Sequence, residues 1–312
     1  MNCLLCYKPL ASNEIDYHIK CVSTIFELKQ MPDIDIDEKK LVAYAKKIVA
    51  ASTTITGVQP KLSLWLEESK KNNRFTIVDN KSNYIIKPQS ETYKSLPENE
   101  DLCMHLAEEL GIETATHGLI RLQSGSLAYI TKRFERNGNY KLACEDLCQL
   151  TETLTEHKDR GSYEKIGKAI RMYSTKQGLD ILNYYQLVLF SFISGNADMH
   201  LKNFSMLEKA EGEFCLSPAY DLVSTLLVIK NDPEQMMLTL NGRKNKITKK
   251  DFDLFGKSLS LTAKQIQNVY QNILSRTDNI YWWVNNSFLP IDHKILLTQV
   301  LSTRIKLFSD QI

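Results

Sequence analysis

The chain has 312 residues, of which 43% are hydrophobic and 24% are charged. These fractions are close to those of average soluble globular proteins, and they exclude a disordered tail, a collagen and a coiled-coil rod. Lys and Arg number 39 against 37 Asp and Glu, a net charge of +2. Charge alone therefore indicates neither a nucleic acid nor an anionic membrane as a binding partner. The length predicts two domains, or one domain with two lobes.

The hydropathy pattern argues against a membrane protein. The longest apolar stretch is 187–193, whereas a membrane-spanning helix needs roughly 18 to 20 apolar residues. The N-terminus lacks the charged and then apolar pattern of a secretory signal. We therefore expect a cytoplasmic protein that does not bind membranes, in which the seven cysteines are reduced thiols.

Four residues near the N-terminus have the spacing of a metal site. Cys3 and Cys6 form a C-x2-C pair, and His18 and Cys21 form an H-x2-C pair. Each pair fits on one tight turn with both ligands facing inward, so the set could hold one structural zinc ion. The same residues could instead remain reduced in a small N-terminal cap, and the spacing leaves both interpretations open.

Residues 1–135 are predicted to form a strand-rich lobe with one major helix. The alternation of Leu62, Leu64 and Leu66 predicts a strand after a loop rich in hydroxyl residues. The helix is indicated by apolar residues at helical spacing from Glu98 to Leu110, before a glycine at the C-cap position. Further strands are predicted at 75–78, 84–87, 117–122 and 126–134.

Residues 136–312 are predicted to form an all-helical lobe. Apolar stripes at helical spacing run through 146–157, 162–173 and 178–194. Two polar-centred stretches, 196–205 and 214–224, interrupt this pattern between apolar runs, and we expect catalytic residues there. The two halves together predict an α+β fold with two lobes.

The polar residues of these stretches match the parts of a phosphotransferase of the protein-kinase type. Asp198 and Asn203 have the D-x4-N spacing in which a carboxylate orients the substrate hydroxyl and an amide reaches a magnesium ion on the phosphates. Asp221 follows as a second carboxylate for Mg2+. The order of these residues along the chain is more informative than any one of them alone.

A lysine at the end of a predicted strand completes this set. Lys87 ends the block YIIK and resembles the strand lysine that pairs with phosphates, with either Glu98 or Glu100 as its ion-pair partner. The sequence contains neither G-x-G-x-x-G nor G-x-x-x-x-G-K-[ST], and only Gly57 lies in the candidate phosphate loop. An ordinary eukaryotic-type kinase and a P-loop ATPase are therefore disfavoured.

Several blocks occur in a fixed order over nearly the whole chain: TTITGVQPKLSL, YIIKP, ENEDLCMHLAEELGI, ITKRFER, EDLCQLT, SGNADMHLKNFS and LSPAYDLVS. Together they resemble the HipA family of bacterial toxin kinases. The resemblance implies a two-lobed, protein-kinase-like fold and a serine/threonine-protein kinase that uses ATP and Mg2+. It also implies a toxin-antitoxin system in which the toxin phosphorylates an aminoacyl-tRNA synthetase, so that translation stops and growth arrests, as in persistence.

The resemblance assigns roles to the residues of the first polar stretch and to Asp221. Asp198 would be the catalytic base, with His200 and Lys202 beside the transferring phosphate. Asn203 and Asp221 would be the magnesium ligands.

The resemblance also assigns nucleotide-binding residues in the first lobe. They are Thr56 and Gly57 in the phosphate loop, Lys87 on the phosphates, Lys132 and Phe134 at the hinge that receives adenine, and Glu135 near the ribose. In this family a hydroxyl residue of the loop before the GxQ motif is autophosphorylated, which points here to Thr54 or Thr56. A phosphate there would add nearly two negative charges where the nucleotide phosphates bind. Hydrogen bonding of these hydroxyls within the loop is the alternative.

The position of the phosphate loop near residue 52 makes the chain resemble the short, HipT-like form of the family. In that form a small separate antitoxin, HipS, and a DNA-binding protein, HipB, complete the toxin-antitoxin system. We therefore expect partners of these two kinds and no direct DNA binding by this chain. The alternative function is a catalytically weak, kinase-like scaffold in a repressor or antitoxin complex, and a small-molecule kinase is a third possibility because a fold does not encode its acceptor.

Overall fold

The structure is a computed structural model that describes residues 1–34, 43, 61–69, 72–78, 82–137, 140–229 and 232–309. Thr54, Thr56 and Gly57, for which phosphate-loop and autophosphorylation roles are predicted, lie outside the described residues. The chain divides into two compact units. The first comprises Met1–Leu102, Ala115–Tyr140 and Asn286–Pro290, and the second comprises Cys103–Thr114, Lys141–Asn285 and Ile291–Ile312.

A five-stranded antiparallel sheet forms the centre of the first unit. The side chains of Leu62, Leu64 and Leu66 are buried and alternate with half-buried residues, as the period of two along a strand requires. The strands predicted from alternation are thus confirmed. They are β1 (Leu62–Glu67), β2 (Arg74–Ile77), β3 (Tyr84–Lys87), β4 (His117–Arg121) and β5 (Leu127–Lys132), in the spatial order β2-β1-β3-β5-β4.

The N-terminal segment shares the hydrophobic core of this sheet. Its helix α1 (Ile19–Phe26) buries Val22, Ile25 and Phe26 in one cluster with side chains of the strands. The rings of Phe26, Phe75 and Tyr84 form a group with centroid separations of 5.4, 5.7 and 5.8 Å. Tilted and edge-to-face rings at such separations add to the stabilisation that burial provides.

Helix α2 (Leu96–Glu109) follows β3 and confirms the predicted major helix. It ends at a glycine cap: Gly111 has a φ of +82°, and the N–H of Ile112 donates to the carbonyl of Ala107 at 3.0 Å. Glycine adopts this left-handed conformation without the steric penalty of a Cβ atom.

The second unit consists mainly of helices. Residues 187–193 lie within its longest helix and are buried, so this apolar stretch belongs to a core helix. In the part of the chain that the structure describes, every helix is too short or too polar to cross a membrane. The helices are α3 (Leu147–Leu150), α4 (Tyr163–Tyr173), α5 (Gln177–Ser194), α6 (Lys249–Ser258), α7 (Ala263–Ser275), α8 (Thr277–Asn286) and α9 (Ile291–Ile305), with 3-10 turns at Thr155–His157, Leu201–Asn203, Thr225–Leu227 and Lys306–Phe308.

The prediction that residues 136–312 are all-helical is wrong. After the two-residue strands β6 (Arg136–Asn137) and β7 (Tyr140–Lys141), a three-stranded sheet of β8 (Cys144–Asp146), β9 (Ser205–Ala210) and β10 (Glu213–Leu216) follows in the order β10-β9-β8. The turn between β9 and β10 contains Gly212 at φ +72°, a conformation that glycine favours. Glu208 accepts a hydrogen bond from the N–H of Gly212 at 3.0 Å.

The helix predicted at 146–157 is also shorter than expected. Only Leu147–Leu150 is α-helical, followed by a 3-10 turn at Thr155–His157. The hydroxyl of Thr151 donates to the carbonyl of Leu147 at 2.5 Å and lies 3.0 Å from the hydroxyl of Thr153. Side-chain hydroxyls that bond locally to the backbone compete with helix propagation, which explains the early end.

Candidate active site

The loop with the predicted catalytic residues begins where α5 ends. Gly195 has a φ of +78°, and a Cβ atom there would lie 3.0 Å from the side chain of Leu226 and 3.1 Å from that of Ser224. The carbonyl of Gly195 accepts hydrogen bonds from the N–H and the hydroxyl of Thr225, at 3.0 and 3.1 Å. A glycine at this position therefore lets the start of the loop contact the segment that follows Asp221.

Asp198 lies three residues beyond this glycine, and its N–H donates to the side-chain oxygen of Asn196 at 3.0 Å. Solvent reaches Asp198, but the surrounding protein raises its pKa from the ordinary 3.8 to about 6. Burial is the largest cause of this raised pKa; the charge of Lys158 lowers it and that of Asp221 raises it. Such a carboxylate is ionised at neutral pH and is still basic enough to accept a proton from a hydroxyl group.

Asn203 and Asp221, the predicted magnesium ligands, lie together. The amide nitrogen of Asn203 donates to Oδ2 of Asp221 at 3.4 Å, and its oxygen accepts the N–H of His200 at 3.0 Å. Asp221 has a φ of +59°, a conformation that is uncommon for residues other than glycine. Carboxylate and amide oxygens are the ligand types that Mg2+ prefers, so the pair fits this ion.

A buried tyrosine and a half-buried one hold the backbone of this loop. The hydroxyl of Tyr163 donates to the carbonyl of Met199 at 3.0 Å, and that of Tyr220 donates to the carbonyl of Lys202 at 2.8 Å. The hydroxyl of Ser205 lies 2.7 Å from that of Tyr220. These positioning residues are not among those predicted from the sequence. In the block AYDLV, a tyrosine directly before the predicted metal ligand Asp221 was the available signal.

His200 and Lys202 have different surroundings. His200 is buried, and burial is the main reason that its pKa falls to about 4, so the imidazole is neutral near pH 7. Its Nδ1 atom has no hydrogen-bond partner among the described residues. The ammonium of Lys202 lies 2.7 Å from Oδ2 of Asp146, and Oδ1 of the same residue accepts the N–H of Gln149 as the N-cap of α3.

Lys158 is a further residue of this loop region that the sequence did not predict. It follows the 3-10 turn at Thr155–His157, and its carbonyl accepts the N–H of Leu201 at 3.1 Å. Its positive charge lowers the pKa of both Asp198 and His200. No motif distinguishes Lys158 within the polar stretch 156–160, because only the fold brings this turn to the catalytic loop.

In the first unit, Lys87 pairs with Glu100. Nζ of Lys87 donates to Oε1 of Glu100 at 2.7 Å, and both residues are buried. Both oxygens of Glu98 instead accept from the amide of Gln89, each at 2.9 Å. The sequence left either Glu98 or Glu100 as the partner of Lys87, and the geometry shows that the partner is Glu100. Burial is the largest cause of a raised pKa at Glu98.

The predicted hinge residues lie at the end of β5 and just after it. The ammonium of Lys132 lies 2.5 Å from Oε1 of Glu27, the residue that ends α1, and Phe134 is half-buried. Glu135 accepts from the guanidinium of Arg133 at 2.5 and 2.6 Å. The structure therefore places the side chains of Lys132 and Glu135 in ion pairs within their own unit.

The four predicted metal ligands near the N-terminus also come together. The side chains of Cys3, Cys6, His18 and Cys21 each offer one ligand atom, and these four atoms all lie within 4.8 Å of one another. All seven cysteines are free thiols.

Known protein families were compared with the chain. The model of the HipA-like C-terminal domain matches residues 53–280. The chain belongs to this HipA-like family. A Haemophilus influenzae protein named "Putative kinase" is 24% identical over 98% of this chain and 97% of its own length. A Sinorhizobium fredii protein named "Putative kinase Y4dM" is 27% identical over 84% of this chain and 67% of its own length.

Solved structures resemble this HipA-family chain in fold. A chain from the Shewanella oneidensis toxin-antitoxin complex of HipA, HipB and operator DNA has a TM-score of 0.64 and 20% identity, over 93% of this chain and 70% of its own. The Helicobacter pylori proinflammatory kinase CtkA has a TM-score of 0.53 and 17% identity, over 75% of this chain and 90% of its own. The predicted kinase-like α+β fold and the resemblance to the HipA family are thus confirmed.

Proposed function

We propose that this HipA-family protein is a serine/threonine-protein kinase that uses ATP and Mg2+ and acts as a toxin in the cytoplasm. The observation that carries the proposal is the catalytic loop of the second unit. There Asp198, with a pKa of about 6, lies on the same short loop as Asn203, which contacts Asp221. A base and two oxygen ligands for magnesium are the residue types that phosphoryl transfer needs.

The chain's own residues perform the proposed reaction as follows. Asp198 orients the acceptor hydroxyl and takes its proton, since the carboxylate is ionised at neutral pH. Asn203 and Asp221 would hold the ion, and Mg2+ bound there would supply positive charge to the phosphate oxygens. Lys87, oriented by Glu100, provides a further positive charge for the phosphates. Phosphoryl transfer depends mostly on such positioning and electrostatic stabilisation.

The remaining nucleotide and phosphate contacts are proposed from the family resemblance. The backbone near Lys132 and Phe134 receives adenine, and Glu135 lies near the ribose. His200 and Lys202 stand beside the transferring phosphate, where a buried neutral imidazole can donate a hydrogen bond and an ammonium adds positive charge. Thr56 and Gly57 complete the phosphate loop.

The cellular role is proposed in the same way. The target is an aminoacyl-tRNA synthetase, whose phosphorylation stops translation. The partners are a small HipS-like antitoxin and a HipB-like DNA-binding protein, and the Shewanella oneidensis complex of HipA and HipB with operator DNA supports the second partner. Autophosphorylation at Thr54 or Thr56 disables the kinase through charge repulsion of the nucleotide.

One experiment tests the activity. The purified protein is incubated with Mg-ATP and with each of a set of purified aminoacyl-tRNA synthetases, and phosphate is mapped by mass spectrometry. Asp198→Asn is run in parallel, with Asp159→Asn as a matched control on the exposed neighbouring turn. We expect phosphate on a synthetase, and on Thr54 or Thr56, with wild type and Asp159→Asn but not with Asp198→Asn.

Two other outcomes would contradict the proposal. Binding of ATP without any phosphate transfer would identify a kinase-like scaffold. Consumption of ATP with phosphate found only on small molecules would identify a small-molecule kinase.

A further inference from the structure

The N-terminal segment of the chain contains a turn that presents two thiols. The N–H of Cys3 donates to the carbonyl of Lys8, and the N–H of Tyr7 donates to the carbonyl of Cys3, both at 2.9 Å. Tyr7 has a φ of +59°, which closes this tight turn just after Cys6. A buried tyrosine in a left-handed conformation needs support from its surroundings. The hydroxyl of Tyr7 supplies part of that support by donating to Asp101 at 2.7 Å.

The second pair of candidate ligands lies at the start of α1. His18 is the N-cap residue, and the N–H of Cys21 donates to its carbonyl at 3.0 Å. A separation of three residues in a helical turn brings both side chains to one side of the helix. The N–H of His18 also donates to the sulfur of Cys3 at 3.4 Å, which joins the helix start to the first turn.

The distances between these side chains match a tetrahedral metal site. Nδ1 of His18 lies 3.3 Å from the sulfur of Cys6 and 3.7 Å from that of Cys21, and all four ligand atoms lie within 4.8 Å of one another. Ordinary zinc bond lengths place a sulfur and a nitrogen about 3.6 Å apart and two sulfurs about 3.8 Å apart in a tetrahedron. Binding of an ion therefore needs only small shifts of these side chains.

The other nitrogen of His18 fixes the ring for metal binding. Nε2 lies 3.0 Å from the carbonyl oxygen of Pro9. A carbonyl can only accept, so Nε2 carries the proton, and in the neutral ring the lone pair of Nδ1 faces the sulfurs. Metal-ligating histidines almost always donate their second nitrogen to such an oxygen.

We propose that Cys3, Cys6, His18 and Cys21 bind one structural zinc ion. Three thiolates and one imidazole in a closed tetrahedral set form a typical structural zinc site, and soft thiolate ligands exclude Mg2+. Cys3 is fully buried and the other three are half-buried, so the protein encloses the site. Binding releases thiol protons as the sulfurs coordinate the ion, and no oxidant or reductant is needed.

The contacts of this zinc module, residues 3–27, show what the ion would hold in place. The side chain of Leu5 packs on the backbone of Gly118, where a Cβ atom would lie only 2.4 Å from it. Arg121 of β4 donates twice to Asp16, each time at 2.8 Å. At the far end of α1, Glu27 pairs with Lys132, the last residue of β5. Zinc would thus fix the segment that covers the sheet of the first unit.

The test is the metal content of the full chain, purified without chelator and without a metal-binding tag. Inductively coupled plasma mass spectrometry should find about one zinc ion per chain, as for a four-ligand structural site. Cys6→Ser and Cys21→Ser should lose the zinc. Cys144→Ser, which changes a half-buried cysteine outside the cluster, should retain it. Replacing bound zinc with Co2+ should give the visible absorption of a tetrahedral thiolate site in wild type.

A conservative variant covers the case in which the serine variants do not fold. His18→Cys keeps four zinc ligands and should retain the ion, whereas His18→Ala should bind it more weakly and lower the Tm. A chelator should lower the Tm of wild type by more than it lowers that of His18→Ala. Zinc-free wild type, iron in place of zinc, a disulfide among these cysteines, or zinc that survives in both Cys6→Ser and Cys21→Ser would each overturn the proposal. None of these readouts depends on kinase activity.

Discussion

Nζ of Lys87 lies 2.7 Å from Oε1 of Glu100, and the two side chains are only 10% and 1% exposed. A lysine this buried needs a counter-charge, since an unpaired buried charge is strongly unfavourable. The glutamate also fixes the direction of the ammonium. The pair therefore serves both the stability of the first unit and the proposed binding of phosphates.

Exchange of Glu100 for glutamine tests this pair. Glu100→Gln keeps the shape of the side chain but removes its charge, so we expect a lower Tm and a KM for ATP raised by about tenfold or more, equivalent to about 1.4 kcal/mol. Glu98→Gln is the matched control, because Glu98 contacts Gln89 instead of the lysine. Equal effects of the two exchanges on the KM for ATP would contradict the assignment of Glu100.

The pKa of Asp198 predicts the pH dependence of the kinase. A carboxylate with a pKa of about 6 loses its ability to accept a proton when it is protonated. The rate should therefore fall as the pH drops through about 6. Asp198→Asn should reduce kcat by about 10² to 10⁴-fold, the usual contribution of a general base. A rate profile that stays flat down to pH 5, measured with saturating substrates, would argue against Asp198 as the base.

The raised pKa of Asp198 affects stability in the direction opposite to its effect on the rate: stability should increase, and the rate decrease, as the pH falls through about 6. The folded chain holds the Asp198 proton more tightly than the unfolded chain, whose carboxyl has the ordinary pKa of 3.8. The free energy of unfolding therefore falls as the pH rises from about 4 to about 6, and the loss persists at neutral pH. Asp198→Asn removes this loss, so it should raise the Tm at pH 7 and change it little at pH 4. Thermal melts at both pH values check the sign.

Lys158 should tune the proposed base. Its charge lowers the pKa of Asp198, so Lys158→Gln should move the acidic limb of the rate profile to higher pH. Lys158→Arg keeps the charge and should leave the limb in place. Both variants preserve the backbone carbonyl that accepts the N–H of Leu201. A limb that does not move in Lys158→Gln would show that this lysine does not act on Asp198.

The proposed magnesium ligands predict a metal requirement. Asn203→Ala and Asp221→Ala should raise the Mg2+ concentration for half-maximal rate by about tenfold or more, because each removes an oxygen ligand. Asp159→Asn changes an exposed carboxylate outside the pair and should leave this concentration unchanged. The measurement is the initial rate against free Mg2+ at fixed ATP.

The glycine at the end of α5 predicts a stability effect. Gly195→Ala forces a Cβ atom into a left-handed conformation and against Leu226, so it should cost about 1 to 2 kcal/mol from the conformation alone. Gly178→Ala, in the first turn of the same helix, has open space around it and should stabilise by about 0.4 to 1 kcal/mol. Urea unfolding of the two variants should therefore shift in opposite directions.

Local patterns in the sequence predicted much of this molecule. The alternation at Leu62, Leu64 and Leu66 and the helical spacing through 178–194 depend on neighbouring residues only, and both elements are present. The D-x4-N spacing likewise placed Asp198 and Asn203 on one short loop.

Contacts between distant segments could not be predicted in this way. Lys158 lies near Asp198 only because the chain between α3 and α4 brings it there. Similarly, the orientation of α2 against β3 decides that Glu100, and not Glu98, pairs with Lys87. The hairpin of β9 and β10 was missed because its strands are short and because β9 pairs with β8, which lies some sixty residues earlier in the chain.

The tyrosine hydroxyls that hold the catalytic loop have a consequence for the interpretation of pH profiles. Burial raises the pKa of Tyr163 and of Tyr220 above the ordinary value of 10 for a phenol. Both phenols therefore remain protonated, and continue to donate to the carbonyls of Met199 and Lys202, at every pH at which the enzyme would be assayed. The loop backbone keeps these two bonds while Asp198 titrates, so a change of rate near pH 6 would report a proton on the proposed base and not a change in loop geometry.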